Sequence, residues 1–395
     1  MFTDCLSNIN LILEQGTNVI SSINQKYNDI EICISDYVKK NSLTISDVGL
    51  LCENKRYNSF HTIYGTSIYG HANNLANLLS KLNIYTSLNT NIKNADFVIY
   101  IEGKLYIHLY NTLPHIFSVI STTITNDITL YPVEFEMLNI CYRLYNPIYR
   151  KEWCDLQIFA NTLEKKIIKK STNVQYNHEN KSLFSIKKKH IDMVMEWLKK
   201  RNDYILIGDI SISILKNTNN TYHEPIQIIS SSSICEELCD YIKKITNIEP
   251  VYKVHPVKLP IDPRLTRSSL TITFNKKIIH ILDIFNTTSH TIVPYIVKNN
   301  IKIGSKHIIH MYLLINLWLA NLVYSLKSIT ESVLRRRINI TYMNFKHMEL
   351  INTPRNILLY MGINNDLNIY MKKNKHGFPH FPEKYRYDTG KYRSN

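Results

Sequence analysis

The sequence predicts a mixed α/β protein made of two tandem copies of one unit, each a mixed-sheet domain with flanking helices. Three observations carry that expectation. A hairpin-like stretch occurs twice, the residues that follow it keep a fixed spacing, and the elements that precede it come in the same order in both halves. At 395 residues the chain is also longer than one hydrophobic core ordinarily serves.

The hairpins are Phe97–Thr112 and Leu270–Thr287. Both alternate apolar and polar residues, turn at a small polar pair, and continue as a second strand that ends in Asn-Thr. Asn111 and Thr112 match Asn286 and Thr287 at an offset of 175. Held constant, that offset pairs Ile128 with Ile303, and Leu138, Ile140 and Leu144 with Leu313, Ile315 and Leu319 on a following helix. Upstream, the first half reads as a helix (31–40), a short strand (43–46), a strand (61–66) and a helix (67–82). The second half reads as a helix (186–201), a strand (204–208), a helical turn (210–216), a strand (225–230) and a helix (234–246). The basic, polar stretch 162–182 reads as a linker, which puts the domains at 1–161 and 183–395.

Composition narrows the function classes. Lys and Arg outnumber Asp and Glu by 47 to 32, a formal charge of +15 that favours a polyanionic partner, for which nucleic acid is the usual case. The candidate contacts are Lys187, Lys188 and Lys189; Arg335, Arg336 and Arg337; and the tail, where Lys372 and Lys373 alternate with rings such as Phe378 and Tyr385. Basic groups between aromatics suit single-stranded RNA, with phosphates on the cations and bases on the rings. Arg264 and Arg267 either face phosphate or close a loop salt bridge. The 7 scattered cysteines show no CxxC spacing, which argues against a disulfide framework or a zinc site and for a reducing, intracellular setting. The most apolar stretch, 311–324, carries Asn316 and Asn321 and is shorter than the roughly 20 residues of a span, so a buried helix is expected and no membrane.

The element order suits one chemistry. A strand, a tight Gly turn into a helix, a second strand and a later hairpin form the skeleton of a nucleotidyltransferase half. Such a turn lets backbone N–H groups approach a triphosphate. Two carboxylates one residue apart on the second strand, with a third on the hairpin, hold the two magnesium ions that activate the 3′-hydroxyl and stabilise pyrophosphate.

The stretches Tyr64–Leu79, Tyr131–Pro147 and Leu282–Asn286 resemble the poly(A) polymerase catalytic subunits of poxviruses and giant DNA viruses, over about residues 30 to 385. The resemblance implies two tandem nucleotidyltransferase-like domains, action on mRNA 3′ ends with ATP and Mg²⁺, and residence in the host cytoplasm or the virion. It also admits, as protein partner, a second copy of the chain or an active polymerase subunit.

The matching positions depart from the pattern. In the first half the Gly turn reads Ile45-Ser46-Asp47-Val48 and the paired acids fall near Phe60-His61-Thr62. No Asp or Glu occurs between Glu53 and Asp96, and the third acid is His108. The second half keeps Gly208 with Asp209 at the turn and Asp283 on the hairpin, while Glu224 and Gln227 stand where a pair is wanted. Glu224 and Asp283 either hold one metal or are surface carboxylates on a fold that has lost the chemistry. His71, His108 and His280 read as isolated structural histidines. Two functions therefore stand: an ATP-dependent adenylyltransferase, and a non-catalytic relative that binds RNA or a polymerase subunit.

Overall fold

The computed structural model describes residues 27–46, 61–89, 97–102, 104–111, 119–120, 122–125, 127–144, 153–171, 188–217, 225–230, 233–259, 265–274, 276–286, 293 and 295–349. They fall into two compact units that divide at Ile167/Ile168, with the later residues 318–337 grouped with the first.

The first unit runs α1 (Tyr27–Lys40), β1 (Thr44–Ser46), β2 (His61–Gly65), α2 (Ile68–Ser80), β3 (Thr86–Asn89), β4 (Phe97–Ile101), β5 (Lys104–Asn111), β6 (Thr123–Thr125), β7 (Ile128–Leu130), α3 (Val133–Leu144) and α4 (Trp153–Ser171). The second runs α5 (Lys188–Leu198), β8 (Ile205–Ile207), α6 (Gly208–Lys216), β9 (Ile226–Ser230), α7 (Ile234–Thr246), β10 (Val251–Pro256), β11 (Thr266–Phe274), β12 (Lys277–Asn286), β13 (Tyr295–Lys298), β14 (Ile301–Gly304) and the first part of α8 (Lys306–Ser325), up to Leu317, with the last part of α9 (Glu331–Met348), from Ile338. The helices form where apolar residues fall on one stripe. In α2, Ile68, Ala72, Leu75 and Leu79 are buried, and in α7 the set is Ile234, Cys235, Leu238 and Ile242.

Each unit holds one seven-stranded mixed sheet, and the two orders agree strand for strand: β3-β4-β5-β2-β1-β7-β6 and β10-β11-β12-β9-β8-β14-β13. β5 and β12 both stand third, parallel to β2 and β9, as the repeat requires. The agreement extends to an irregularity. In both hairpins the register shifts at the same place, between Ile99/Tyr100 and between Leu270/Thr271, leaving Tyr106 and Ile281 as the extra residues of β-bulges. The strand order and the place of the bulge are thus the same in both units.

Two expectations change. The offset of 175 holds across β5 and β12 and then becomes 173, because β7 ends its pairing with Thr125↔Ile128 where β14 ends with Lys298↔Ile301. Ile128 therefore corresponds to Ile301, and Val133 to Lys306 at the two helix starts. A two-residue slip preserves strand alternation, so periodicity could not detect it. Part of the expected linker is helical: α4 runs through 162–171 with Leu163 and Ile167 fully buried, and the rest of 162–182 lies outside the described residues. Leu163 and Ile167 are one helical turn apart, which fixes an apolar stripe despite the lysines around it.

The apolar stretch at 311–324 is part of the 20-residue helix α8. It is long and apolar enough to cross a bilayer, but 78% of it is buried inside the protein, as befits a core helix.

Candidate functional site

In the first unit, parallel pairing sets Thr62 of β2 beside His108 of β5 and Tyr64 beside Tyr110, while Ser46 of β1 lies opposite Thr62. Strand alternation puts these residues on one face. Helix α3 covers it: Asn139 Nδ2 donates to the Tyr64 hydroxyl at 3.3 Å, and Ser46 Oγ donates to Glu136 Oε2 at 2.6 Å. Tyr64 stacks on Tyr131 at 4.0 Å and on Tyr110 at 5.4 Å between ring centroids. Burial drives both the Tyr64 and Tyr131 phenols well above their usual range, so they stay protonated. Burial, helped by the Arg143 cation, pulls the His108 imidazole down to about 3. These strand positions thus carry a neutral imidazole, neutral phenols and two hydroxyls, and the Glu136 carboxylate reaches Ser46 from α3.

On the opposite face, Glu31 Oε1 accepts hydrogen bonds from His61 Nε2 at 2.7 Å and from the hydroxyl of Tyr106, the bulge residue, at 2.8 Å. Sequence reasoning missed this cluster, because its members are 30 and 75 residues from Glu31.

In the second unit the same pairing sets Gln227 of β9 beside Asp283 of β12. Gly208 opens α6 at φ +76°, and a Cβ there would sit 2.7 Å from Gln227 Oε1. Gln227 is 2% exposed and its Oε1 accepts from Asn316 Nδ2 at 3.0 Å. A glutamine side chain thus packs against the glycine of this turn. Asp209, in the first turn of α6, is buried and accepts from Asn344 Nδ2 at 2.5 Å.

Asp283 is 2% exposed, so it is not a surface carboxylate. Its Oδ1 accepts from Ser269 Oγ at 2.6 Å and from His280 Nε2 at 3.0 Å, and lies 3.7 Å from Arg267 Nε. Burial pushes its carboxyl up, but Arg267 and then His280 outweigh that and hold it below the usual carboxylate range. His280 is therefore not isolated. Arg267 lies in β11 rather than in a loop, and its partner is the hairpin aspartate.

Magnesium wants several oxygen ligands, carboxylates first. Thr62 with His108, and Gln227 with an Asp283 already flanked by a guanidinium and an imidazole, do not fit that demand. Among the described residues, no group of three or more His, Cys, Asp or Glu is placed to hold a metal ion.

The remaining candidates are scattered. Lys188 opens α5, and Lys189 Nζ sits 5.1 Å from the Phe274 ring centroid. Arg335 is exposed and pairs with Glu331 at 2.6 Å, one turn back on α9, while Arg336 and Arg337 are half-buried. His71 Nδ1 is 3.1 Å from the Tyr37 hydroxyl. Glu224, Lys187, Arg264, Lys372, Lys373, Phe378 and Tyr385 lie outside the described residues.

No protein-family model matches the sequence, and no curated protein does. Among solved structures the chain is similar to the Megavirus polyadenylate synthase, with a TM-score of 0.59 and 14% identity over 93% of this chain and 83% of that one. At that identity the likeness concerns the fold: two mixed α/β domains in tandem, as in a viral polyadenylate synthase.

Proposed function

We propose that this chain is a polymerase-fold protein that binds single-stranded RNA and adds no nucleotide to it. One observation carries the reading: where the fold's chemistry calls for clustered acids, the register-paired neighbours are Thr62 with His108 and Gln227 with Asp283. The one acid among them is engaged by Ser269, His280 and Arg267. A buried carboxylate that balances a partly exposed guanidinium serves stability, since removing either partner leaves the other unpaired. The RNA part of the reading rests on the +15 charge and on the likeness to a polyadenylate synthase.

The competing reading is ATP- and Mg²⁺-dependent adenylation. What favours it is the second unit's turn, where Gly208 keeps its left-handed backbone beside Asp209. The test is primer extension on a labelled oligoadenylate with ATP and Mg²⁺, run beside a gel-shift at low salt. The expected result is a shifted primer of unchanged length, with or without His108→Ala. Extension by the unmodified chain that disappears in a folded Asp283→Asn variant overturns the non-catalytic reading. A primer that does not shift at low salt removes the RNA reading.

A further inference from the structure

We propose that the open face of β10, β11 and β12 in the second unit is the surface on which the single-stranded RNA backbone docks. The inference rests on the RNA-binding reading above and locates it.

Strand pairing fixes which side chains share this face. Its rungs are Thr273–Ile278, then Val251–Thr271–His280, then Lys253–Ser269–Asp283, then His255–Arg267–Phe285. The bulge at Ile281 makes this possible. Without the extra residue, His280 and Asp283 would point to opposite sides of β12; with it they share a side and are hydrogen-bonded at 3.0 Å. The face therefore gathers Lys253, His255, Arg267 and His280 on three adjacent strands. Neighbouring strands lie about 4.8 Å apart, and alternate residues along a strand about 7 Å apart. The four basic groups thus form one patch.

The inner end of the face, around Gln227 and Phe285, is covered by α8, as the Asn316–Gln227 bond and the 4.7 Å Phe285–Tyr312 ring contact show. The outer end is exposed. All six residues of β10 are exposed, Val251 at 50%, and across the face Ile278 is 73% exposed. The one carboxylate these three strands place on the face, Asp283, is 2% exposed and lies beside the more exposed Arg267 and His280, so solvent meets those side chains and Lys253 before it meets the acid.

Charge complementarity identifies the occupant. The duplicated fold supplies an internal control, since the equivalent rungs of the first unit are Ser87–Tyr100–Leu105 and Asn89–Val98–His108, with no Lys or Arg. In the two rungs compared, Lys253 has no Lys or Arg counterpart in the first unit, so a cation at that position is not a requirement of the sheet. Pairing β10 with the β10 of a second copy would bring two sets of Lys253 and His255 onto one continuous face, which is repulsive. A polyanion has no such penalty. Thr273, exposed on the same face, adds a hydroxyl donor for a phosphate oxygen, and the His255 and His280 rings offer planes on which bases stack.

The test uses the full-length chain and a labelled oligouridylate, with affinity measured across a salt series. The Lys253→Gln/His255→Gln variant changes two exposed side chains and leaves the Arg267–Asp283 pair intact. The expected result is an affinity lowered by about tenfold at low salt, with a log–log salt slope shallower by about 0.7 for each phosphate no longer neutralised. Lys39→Gln/Lys40→Gln, equally exposed at the end of α1, is expected to bind as the unmodified chain does. If the β10 variant binds normally, the docking face lies elsewhere and the RNA reading survives. An equal loss in the α1 control means that general charge and not this face governs binding, which also overturns the proposal. Displacement of the RNA by polyglutamate at equal charge concentration marks the face as a site for an acidic protein instead. Absence of binding by the unmodified chain removes the RNA reading and this proposal together.

Discussion

Gly208 and Gln227 are fitted to each other in the second unit. Its φ of +76° is the left-handed region that glycine adopts freely and other residues adopt at a cost. A Cβ there would also press to 2.7 Å on Gln227 Oε1, which Asn316 holds in place. Two separate costs should follow from Gly208→Ala, one from the backbone and one from the steric clash, together about 1–3 kcal/mol in a urea-denaturation series. Adding Gln227→Ala should relieve the clash and leave the backbone cost. A Gly208→Ala variant as stable as the unmodified chain would show that the turn relaxes to an ordinary conformation. The glycine itself was legible in the sequence, because a lone Gly between a strand and a helix is a turn signal. That Gln227 occupies the space beside it was not, since the two residues meet only through the packing of β9 against α6.

Helix α8 carries two buried histidines that no motif singled out. His307 is 1% and His310 0% exposed, their ring nitrogens have no hydrogen-bond partner among the described residues, and His310 stacks on Phe345 of α9 with centroids 4.0 Å apart. Burial, and then the Lys306 cation, bring His307 down to about 4; burial, His307 and Lys306 take His310 well below its usual value. The folded pKa lies below the unfolded one, so the neutral form is the folded form. The stability contribution is therefore complete above about pH 6.5 and is lost as pH falls toward the folded pKa. Each histidine should cost at most about 1.4 kcal/mol per pH unit across that window. Urea midpoints at neutral and mildly acidic pH should fall together for the native chain and much less for a His307→Leu/His310→Phe variant. Equal acid sensitivity in both would show that these rings are not the groups that titrate. Helix α8 itself was foreseen from its apolar run, but its reach to Lys306 and its two histidines were not. A histidine reads the same in a sequence whether it is solvated or packed under an aromatic ring.

For the whole molecule, the two units share a sheet order and a bulge but not a surface. The net charge of +15 comes from 47 basic and 32 acidic residues. The tail 371–395 supplies seven of the basic ones (Lys372, Lys373, Lys375, Lys384, Arg386, Lys391, Arg393) against Glu383 and Asp388, a net of +5. Removing it should weaken RNA binding and flatten the salt slope by about 0.7 for each phosphate the tail had neutralised, with the melting temperature unchanged. Stacking by Phe378 or Tyr385 would appear as a salt-insensitive loss of roughly 1–3 kcal/mol per base. A tail that only docks on the body would lower the melting temperature and leave the slope alone.

By itself the sequence determined the repeated order of elements, the mixed α/β class and most of the central elements. Alternation and helical spacing are local properties, and they were strong in β4, β5, β11, β12, α2 and α7. It also determined that Thr62 and His108 carry no carboxylate, because residue types can be read without coordinates. The edge strands β3, β6, β10 and β13 were decided only by tertiary structure. They are short or exposed, and pairing with a neighbour, not their own pattern, makes them strands. The two-residue change of offset was decided there too, since strand periodicity is blind to an even slip. So was the fate of Asp283: its partners come from β11 and from across a bulge, and only the folded sheet brings a serine, a histidine and an arginine to one buried oxygen.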